Sequence, residues 1–254
     1  MSIQLKSKDE IEIMRRANMI VHEVLNVLAE MVKPGVTTKE LDQKAHELTL
    51  ARGAKAAFLN YPGPSKQIVP FPGVICASVN DVIVHGIPNE VPLKEGDILS
   101  IDYGCCLEGY FGDSAVTVPV GTVSEKAKKL LEITQQSLQD AIAQCVAGNR
   151  IGDISSAVQK RVEGGGFAVV REFVGHGIGK ALHEPPHGPN FGAPGQGRAL
   201  RPGMELAIEP MVNAGRRDVR VLNDGWTVVT ADGKLSAHFE HTVLVTDGEP
   251  EILT

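Results

Sequence analysis

Acidic side chains stand at four places in this 254-residue chain where the neighbouring residues are apolar or strand-like, and a histidine stands at a fifth. The five residues are Asp102, Asp113, His176, Glu209 and Glu240. Carboxylates that lie close together in a partly dry site repel one another and lose hydration. Either one of them then keeps a proton at a raised pKa, or a bound cation neutralises the group.

The first two acids lie in LSIDYGCCLEGYFGDSAVTV (99–118), which is typical of a β-hairpin. If the turn centres on Leu107 and Glu108, Asp102 lies directly opposite Asp113, with Cβ atoms about 5 Å apart on one face. A turn centre shifted by one residue makes the two acids diagonal neighbours on the same face. A three-residue loop would put them on opposite faces, so the prediction depends on the length of the turn.

Three short segments recur in the same order in the second half of the chain. The pattern L-x-x-G-x-x-L-x-I followed by an acid occurs at 93–102 and 200–209, HGI occurs at 85–87 and 176–178, and 113–118 resembles 240–245. These matches predict two pseudo-repeats, at about 7–120 and 124–246, packed as a single domain over 1–254 around a pseudo-twofold axis.

The predicted duplication favours the cation. It places Glu209 and Glu240 where Asp102 and Asp113 stand in the first half, and four carboxylates at one axis cannot all remain bare anions. Carboxylates with the imidazole of His176 suit two divalent ions that share bridging carboxylates. Because no thiolate joins the set, manganese, iron or cobalt is expected, with zinc as an alternative.

The composition is that of an ordinary globular protein, with 43% hydrophobic and 22% charged residues. The net charge is −6 and no Lys/Arg-rich run occurs, so we expect neither nucleic acid nor an anionic membrane as a direct partner. No apolar signal region begins the chain, and no stretch approaches the roughly 20 apolar residues of a membrane span. Four cysteines without C-x-x-C spacing predict free thiols in a cytoplasmic protein, Cys105 and Cys106 included.

Helix signals occur in two pairs, each followed by strand-like runs. Capping boxes at 7–10 and 37–40 predict the first pair. Ser124 is expected to begin a long helix that ends at Gly148, and Asp153 is expected to cap a fourth that ends at Gly164. This order predicts an α+β fold.

Five segments together resemble the type I methionine aminopeptidases over nearly the whole chain. They are VNDVIVHGIP (79–88), SIDYGCCLEGYFGDSAVT (100–117), GHGIGKALHEPP (175–186), LRPGMELAIEPM (200–211) and HFEHTVLV (238–245). The resemblance implies the pita-bread fold, in which an antiparallel sheet is flanked by two pairs of helices around a pseudo-twofold axis. It also implies that the five residues named first bind two metal ions, with Asp113 and Glu240 as bridges.

The resemblance implies a mechanism as well. A metal-bridged hydroxide would attack the first peptide carbonyl, with Glu209 as general base and proton shuttle. His183 would donate a hydrogen bond to the developing oxyanion, and His85 would contact the scissile amide nitrogen and assist the leaving amine. The substrate's α-amine would ligate one metal, which limits the reaction to the first residue. The expected substrates are nascent chains that begin with methionine followed by a small residue.

An apolar pocket with soft contacts would hold the methionine thioether. By the resemblance its walls are Cys76, Phe71 and Trp226, with Tyr61 nearby. Leu182 stands where some relatives carry an aromatic residue. Tyr103 and Cys105 are expected near this pocket, in an undefined role. The resemblance also suggests a monovalent cation near three residues: Asn80, Val82 and Ser236.

Two other functions occur on this fold. A proline-directed peptidase of the same fold usually carries a large domain before the first metal aspartate, and only 101 residues precede Asp102 here. A metal-free binding protein of this fold would lack some of the five ligands.

HEPPH (183–187) has the letters of a zincin motif, but its two prolines exclude the helix which that motif requires. A monomer is expected, and association with the ribosome is left open. Surface or structural roles are expected for four histidines: His22, His46, His187 and His238.

Overall fold

The computed structural model describes residues 3–254. Its helices are α1 (Lys8–Met31), α2 (Thr38–Ala51), α3 (Glu125–Ile142) and α4 (Ile151–Gly164). Its strands are β1 (Lys55–Ala56), β2 (Cys76–Val79), β3 (Val82–Val84), β4 (Ile98–Leu107), β5 (Tyr110–Pro119), β6 (Ala168–Val169), β7 (Gly175–Gly177), β8 (Glu184–Gly188), β9 (Glu205–Ile208), β10 (Met211–Asn213), β11 (Val219–Val221), β12 (Val228–Thr230), β13 (Ser236–His238), β14 (His241–Leu244) and β15 (Glu251–Ile252). No helix among these residues is long and apolar enough to cross a membrane.

Local capping signals set the starts of the helices. Both predicted capping boxes form: Ser7 with Glu10 before α1, and Thr37 with Glu40 before α2. Ser124 caps α3 as predicted. The prediction for Asp153 was wrong, because α4 begins two residues earlier and the Asp153 carboxylate instead accepts the backbone N–H of Arg150 at 2.7 Å.

The predicted end of α3 at Gly148 was also wrong. The helix ends at Ile142, and the next amides bond to carbonyls three residues back, Gln144 to Ala141 and Cys145 to Ile142. Gly148 then takes a φ of +96°, which glycine adopts without strain, and donates its N–H to Leu200. These tight turns direct the chain toward α4.

All strand pairs are antiparallel, as the resemblance implied. The strands form four sheets, ordered β1-β4-β2 with β5 on β4, β13-β10-β6, β11-β12-β3, and β15-β14-β9-β7-β8. An antiparallel bridge between Ala115 and Glu240 joins the β4–β5 hairpin to the chain between β13 and β14. The α+β class is confirmed.

Two apolar cores lie beneath the two helix pairs. In the first, Leu28 of α1 and Leu41 of α2 pack with Ile101 of β4. In the second, Leu130 of α3 and Val158 of α4 pack with strands of the second half. All four cysteines are free thiols, as expected. The division into pseudo-repeats stays a prediction.

Candidate metal and substrate site

The β4–β5 hairpin brings Asp102 and Asp113 to one face. Its two-residue turn is Glu108-Gly109, and both residues have positive φ, 51° and 86°. The turn centre therefore lies one residue beyond the first alternative, so that Asp102 pairs with Ala115 and Asp113 pairs with Gly104. The two acids are diagonal neighbours on the same face, which was the second alternative.

Gly104 leaves room for the Asp113 carboxylate. A Cβ atom on Gly104 would lie 3.0 Å from Oδ1 of Asp113 and 3.2 Å from the Cβ of Ala57. A side chain at this paired position would crowd the acid from directly across the ladder. The glycine therefore keeps the oxygen free to meet a ligand.

Glu240 and Glu209 join the aspartates through pairing in the second half. The N–H of Glu240 donates to the carbonyl of Ala115 at 2.9 Å, two residues beyond Asp113 in β5. Strand β14 pairs with β9 and begins opposite Ile208, the last residue of β9, so Glu209 follows directly at the same edge. Asn190 holds the Glu209 backbone by donating its side-chain N–H to the Glu209 carbonyl at 2.9 Å.

Two of the four acids are buried, two are half-buried, and several of their oxygens lack hydrogen-bond partners. Asp113 is 4% exposed and Glu240 is 2% exposed. Within residues 3–254, no hydrogen bond is made by Asp102 Oδ1, Asp113 Oδ1 or Glu240 Oε1. Burial raises the pKa of Asp102 to about 7. Burial, reinforced by the other carboxylates of the site, raises the pKa values of Asp113, Glu209 and Glu240 well above their usual range.

His176 is neutral and presents a lone pair to this cluster. Its Nδ1 lies 3.0 Å from the Gly177 carbonyl, which can only accept, so Nδ1 carries the proton. Its Nε2 lies 3.5 Å from Glu209 Oε1. Burial, together with the neighbouring His183, lowers the pKa of His176 to about 3. A backbone carbonyl that fixes the tautomer in this way is typical of a metal-binding histidine.

The residues fit a pair of divalent cations. Ligand atoms of Asp113, His176 and Glu240 lie within 4.8 Å of one another, and so do those of Glu209, His238 and Glu240. The two groups share Glu240, which suits a bridging carboxylate. Orphaned carboxylate oxygens and a neutral imidazole are the donors that manganese, iron or cobalt accepts.

One cavity of about 210 Å³ opens onto these acids. All five predicted metal ligands line it, and so do all six predicted substrate residues, Tyr61, Phe71, Cys76, His85, His183 and Trp226. The rings of Phe71 and Trp226 meet edge to face at 5.3 Å. Trp226 also donates its Nε1–H to the Val69 carbonyl at 2.8 Å. This bond holds residues 60–72, which include Tyr61 and Phe71, beside the cavity.

The two remaining histidines of the cavity are held by different contacts. His85 has a φ of 58° and meets Phe173 edge to face at 5.5 Å, and burial lowers its pKa to about 4. His183 places Nδ1 2.8 Å from the Tyr61 hydroxyl. Burial lowers the pKa of His183 as well. Both rings are therefore neutral near pH 7.

Several expectations for individual residues need correction. Tyr103 and Cys105 do not line the cavity: Tyr103 shares a hydrogen bond with Thr49, and the Cys105 thiol donates to the Ala17 carbonyl. Strand alternation explains this, because Asp102 faces the cavity and its neighbour Tyr103 faces the helices. Of the surface or structural roles expected for His238, the surface role is excluded, since the residue is 2% exposed beside the glutamates.

Five other residues line the cavity that the sequence did not identify as site residues. They are Phe58, Val84, Phe173, Val174 and Met211. Leu182, noted for its size, also lines the cavity. The HEPPH segment contains β8 and no helix, as expected.

The three residues of the suggested monovalent site lie in neighbouring segments. Ser236 donates its N–H to the Asn80 carbonyl at 2.8 Å. Val82 lies two residues beyond Asn80, at the start of β3. A monovalent ion there stays a prediction.

Known proteins resemble the chain over its whole length. The description "Metallopeptidase family M24" belongs to the family model that matches residues 12–247. The methionine aminopeptidase of Clostridium perfringens (strain 13 / Type A) is 52% identical over 252 residues, covering 99% of this chain and 98% of that protein. Methionine aminopeptidase 1 of Bacillus subtilis (strain 168) is 51% identical over 249 residues, covering 98% of each. The crystal structure of methionine aminopeptidase from Thermotoga maritima superposes with a TM-score of 0.95 at 43% identity, covering 100% of this chain and 99% of that one.

Proposed function

Because the chain belongs to metallopeptidase family M24 and has its pita-bread fold, we propose that it is a dinuclear-metal aminopeptidase. The proposed reaction removes the initiator methionine from nascent proteins whose second residue is small. One observation carries the proposal: two buried carboxylates, two half-buried carboxylates and a neutral imidazole lie at the wall of a single apolar cavity. A cavity of about 210 Å³ is smaller than the roughly 300–1,000 Å³ of drug-sized ligand sites, so it suits one side chain.

The side chains that would hold the ions are Asp102, Asp113, His176, Glu209 and Glu240. The chemistry supplied there by two divalent ions is activation of water near neutral pH and polarisation of the substrate carbonyl. The carboxylate–imidazole set favours manganese, iron or cobalt over a thiolate-bound structural zinc. Divalent-metal use follows from the family, and the choice of ion is part of the proposal.

Glu209 is the proposed proton carrier. Its carboxylate lines the cavity, and burial among the other acids raises its pKa, so the ionised carboxylate has a high affinity for a proton. It can therefore accept a proton from the attacking water and release it to the leaving amine. To act in both steps, Glu209 must keep one carboxylate oxygen next to the metal-binding side chains, and its side chain must not change rotamer.

His183 is the proposed oxyanion donor. With the Tyr61 hydroxyl donating to Nδ1, the ring proton lies on Nε2 and can be donated to the carbonyl oxygen as its negative charge grows. His85 lies across the same cavity and is proposed to contact the scissile amide nitrogen. Cys76, Phe71 and Trp226 would surround the methionine thioether.

We place the reaction in the cytoplasm, on a monomeric enzyme that acts on nascent N-termini. A net charge of −6 gives no basic handle for ribosomal RNA, so ribosome association is left open. The three residues named for a monovalent cation remain a secondary proposal.

The decisive experiment offers Met-Gly-Met-Met, a Met-Leu peptide and Xaa-Pro peptides to Mn²⁺- and Co²⁺-loaded protein. We expect methionine release from the first peptide, slow release from the second and none from the third. Glu209→Gln should bind peptide and lose activity, whereas the exposed matched control His187→Gln should keep it. Cleavage of Xaa-Pro bonds without methionine release would establish the proline-directed alternative, and no cleavage by metal-loaded protein would establish a binding protein.

A further inference from the structure

His238 reaches the two glutamates of the site without facing the cavity. Its Nε2 lies 3.6 Å from Glu209 Oε2 and 3.9 Å from Glu240 Oε2. The ring is 2% exposed, and Nε2 has no hydrogen-bond partner in the part of the chain that the structure describes. Both glutamates line the substrate cavity, whereas His238 is not among its lining residues. A buried, unsatisfied nitrogen is therefore aimed at the carboxylates that the reaction depends on.

Glu209 stands between two imidazoles that differ in their tautomers. Its Oε1 lies 3.5 Å from Nε2 of His176, and its Oε2 lies 3.6 Å from Nε2 of His238. The Gly177 carbonyl fixes the proton of His176 on Nδ1, so the nitrogen facing Glu209 is a lone pair. Nδ1 of His238 makes no such contact with residues 3–254. Nothing there holds its proton on Nδ1, and the glutamate oxygens opposite Nε2 can accept a hydrogen bond from an Nε2–H group.

The different tautomers of His176 and His238 indicate different roles for the two imidazoles. A metal-binding histidine almost always donates its second ring N–H to a protein or water acceptor, which orients the ring and fixes its lone pair. His176 donates Nδ1–H to a protein carbonyl, whereas no residue within 3–254 accepts a hydrogen bond from Nδ1 of His238. Carboxylates that bind metals are in turn hydrogen-bonded by groups behind them. His238 has the position and the donor atom for this second role.

The backbone around His238 fixes the direction of the ring. The His238 N–H donates to Thr117 Oγ1 at 2.9 Å, and the Thr117 hydroxyl donates to the His238 carbonyl at 2.6 Å. On its other side His238 pairs with Met211 across β13 and β10. Because the backbone of His238 is held on both sides, a backbone shift cannot move the ring away from the glutamates.

We propose that His238 is a positioning residue that donates Nε2–H to Oε2 of Glu209 and so leaves Oε1 directed toward His176. The proposal rests on the proposed function in treating Glu209 as metal ligand and proton carrier. A separation of 3.6 Å exceeds the roughly 2.7–3.2 Å of a formed N–H···O bond. The bond therefore forms when the two side chains approach each other by a few tenths of an ångström.

The test compares His238→Gln, which keeps an N–H donor on a side chain of similar reach, with His238→Ala, which removes it. His187→Gln is the matched control, because His187 is exposed on β8. Isothermal titration with Mn²⁺ should give a dissociation constant about 10- to 100-fold higher in His238→Ala. His238→Gln and His187→Gln should stay close to the wild type. ¹⁵N spectra of wild-type protein should show His238 protonated on Nε2, and loading with Co²⁺ should give a direct contact shift to His176 only.

Two results would overturn the proposal. A contact shift on His238, with His238→Gln as weak as His238→Ala, would make the residue a metal ligand. Normal Mn²⁺ affinity in His238→Ala would deny it any positioning role. If the alanine variant does not fold, the glutamine variant and the wild-type spectra still decide between donor and ligand. None of these readouts uses a peptide, so failure to release methionine would refute the proposed function and leave this result standing.

Discussion

Replacing Tyr61 with phenylalanine tests how the site orients His183. The substitution removes the hydroxyl that lies 2.8 Å from Nδ1 and keeps the ring that lines the cavity. Burial and the charge of Asp113 raise the pKa of Tyr61, so its hydroxyl keeps its proton and can donate. Without that donor, the His183 proton is no longer confined to Nε2, and part of the enzyme loses its oxyanion donor.

The size of the effect follows from the net value of one hydrogen bond. A bond of this kind contributes about 0.5–1.5 kcal/mol. With tenfold in rate for each 1.36 kcal/mol, kcat should fall about two- to twelvefold. KM should stay unchanged, because the aromatic wall of the pocket is retained. Deleting the donor itself, in His183→Ala, should cost about 10²–10³ in kcat.

The assay is steady-state release of methionine from Met-Gly-Met-Met by the two single variants and the double variant. If Tyr61 acts through His183, the double variant should be no slower than His183→Ala alone. ¹⁵N spectra should show the Nε2–H tautomer of His183 weaken in Tyr61→Phe. A rise in KM at constant kcat, or losses that add in the double variant, would refute the reasoning and make Tyr61 a pocket wall only.

Three further predictions concern the surroundings of the site. Gly86→Ala should lower the free energy of unfolding by about 1–3 kcal/mol or more and displace His85, because the new Cβ would overlap the Ala77 carbonyl; urea unfolding and kcat measure the two effects. Trp226→Phe should raise KM several-fold with kcat unchanged, because it removes the hydrogen bond to Val69 worth about 1 kcal/mol. Burial raises the pKa of Glu205 to about 8, so its stabilising contribution is complete below about pH 4.3 and is lost as the pH rises through 8. Urea midpoints of metal-loaded protein should therefore fall between pH 6 and pH 9 in the wild type and fall less in Glu205→Gln; equal slopes would contradict this.

The hairpin shows how far local rules carry a prediction. Strand alternation predicted that Asp102 and Asp113 share a face for a two-residue turn, and the structure has such a turn. The exact register was open because Leu107-Glu108 and Glu108-Gly109 both leave two-residue loops. Glycine at 109 favours the second, since both turn residues take positive φ there.

The place of His238 beside the glutamates was not predicted, although the sequence contains a signal for it. His238 lies two residues before Glu240 within the segment HFEHTVLV (238–245), and residues two apart in a strand share a face. The pocket residues Phe58 and Phe173 are different, because they come from irregular segments that tertiary packing brings together. The end of α3 was predicted wrongly for a related reason. The turn at Gly148 depends on a hydrogen bond to Leu200, which is far away in the sequence.

The most direct test of the account counts metal ions. Equilibrium dialysis of chelator-treated protein against Mn²⁺, followed by elemental analysis, should give two ions per chain. Asp113→Asn and Glu240→Gln should each reduce the count, because each removes a proposed bridging carboxylate, and methionine release should fall with it. Methionine release by wild-type protein that binds no ion, or an unchanged count of two in both variants, would contradict the central claim that these carboxylates hold a dinuclear centre.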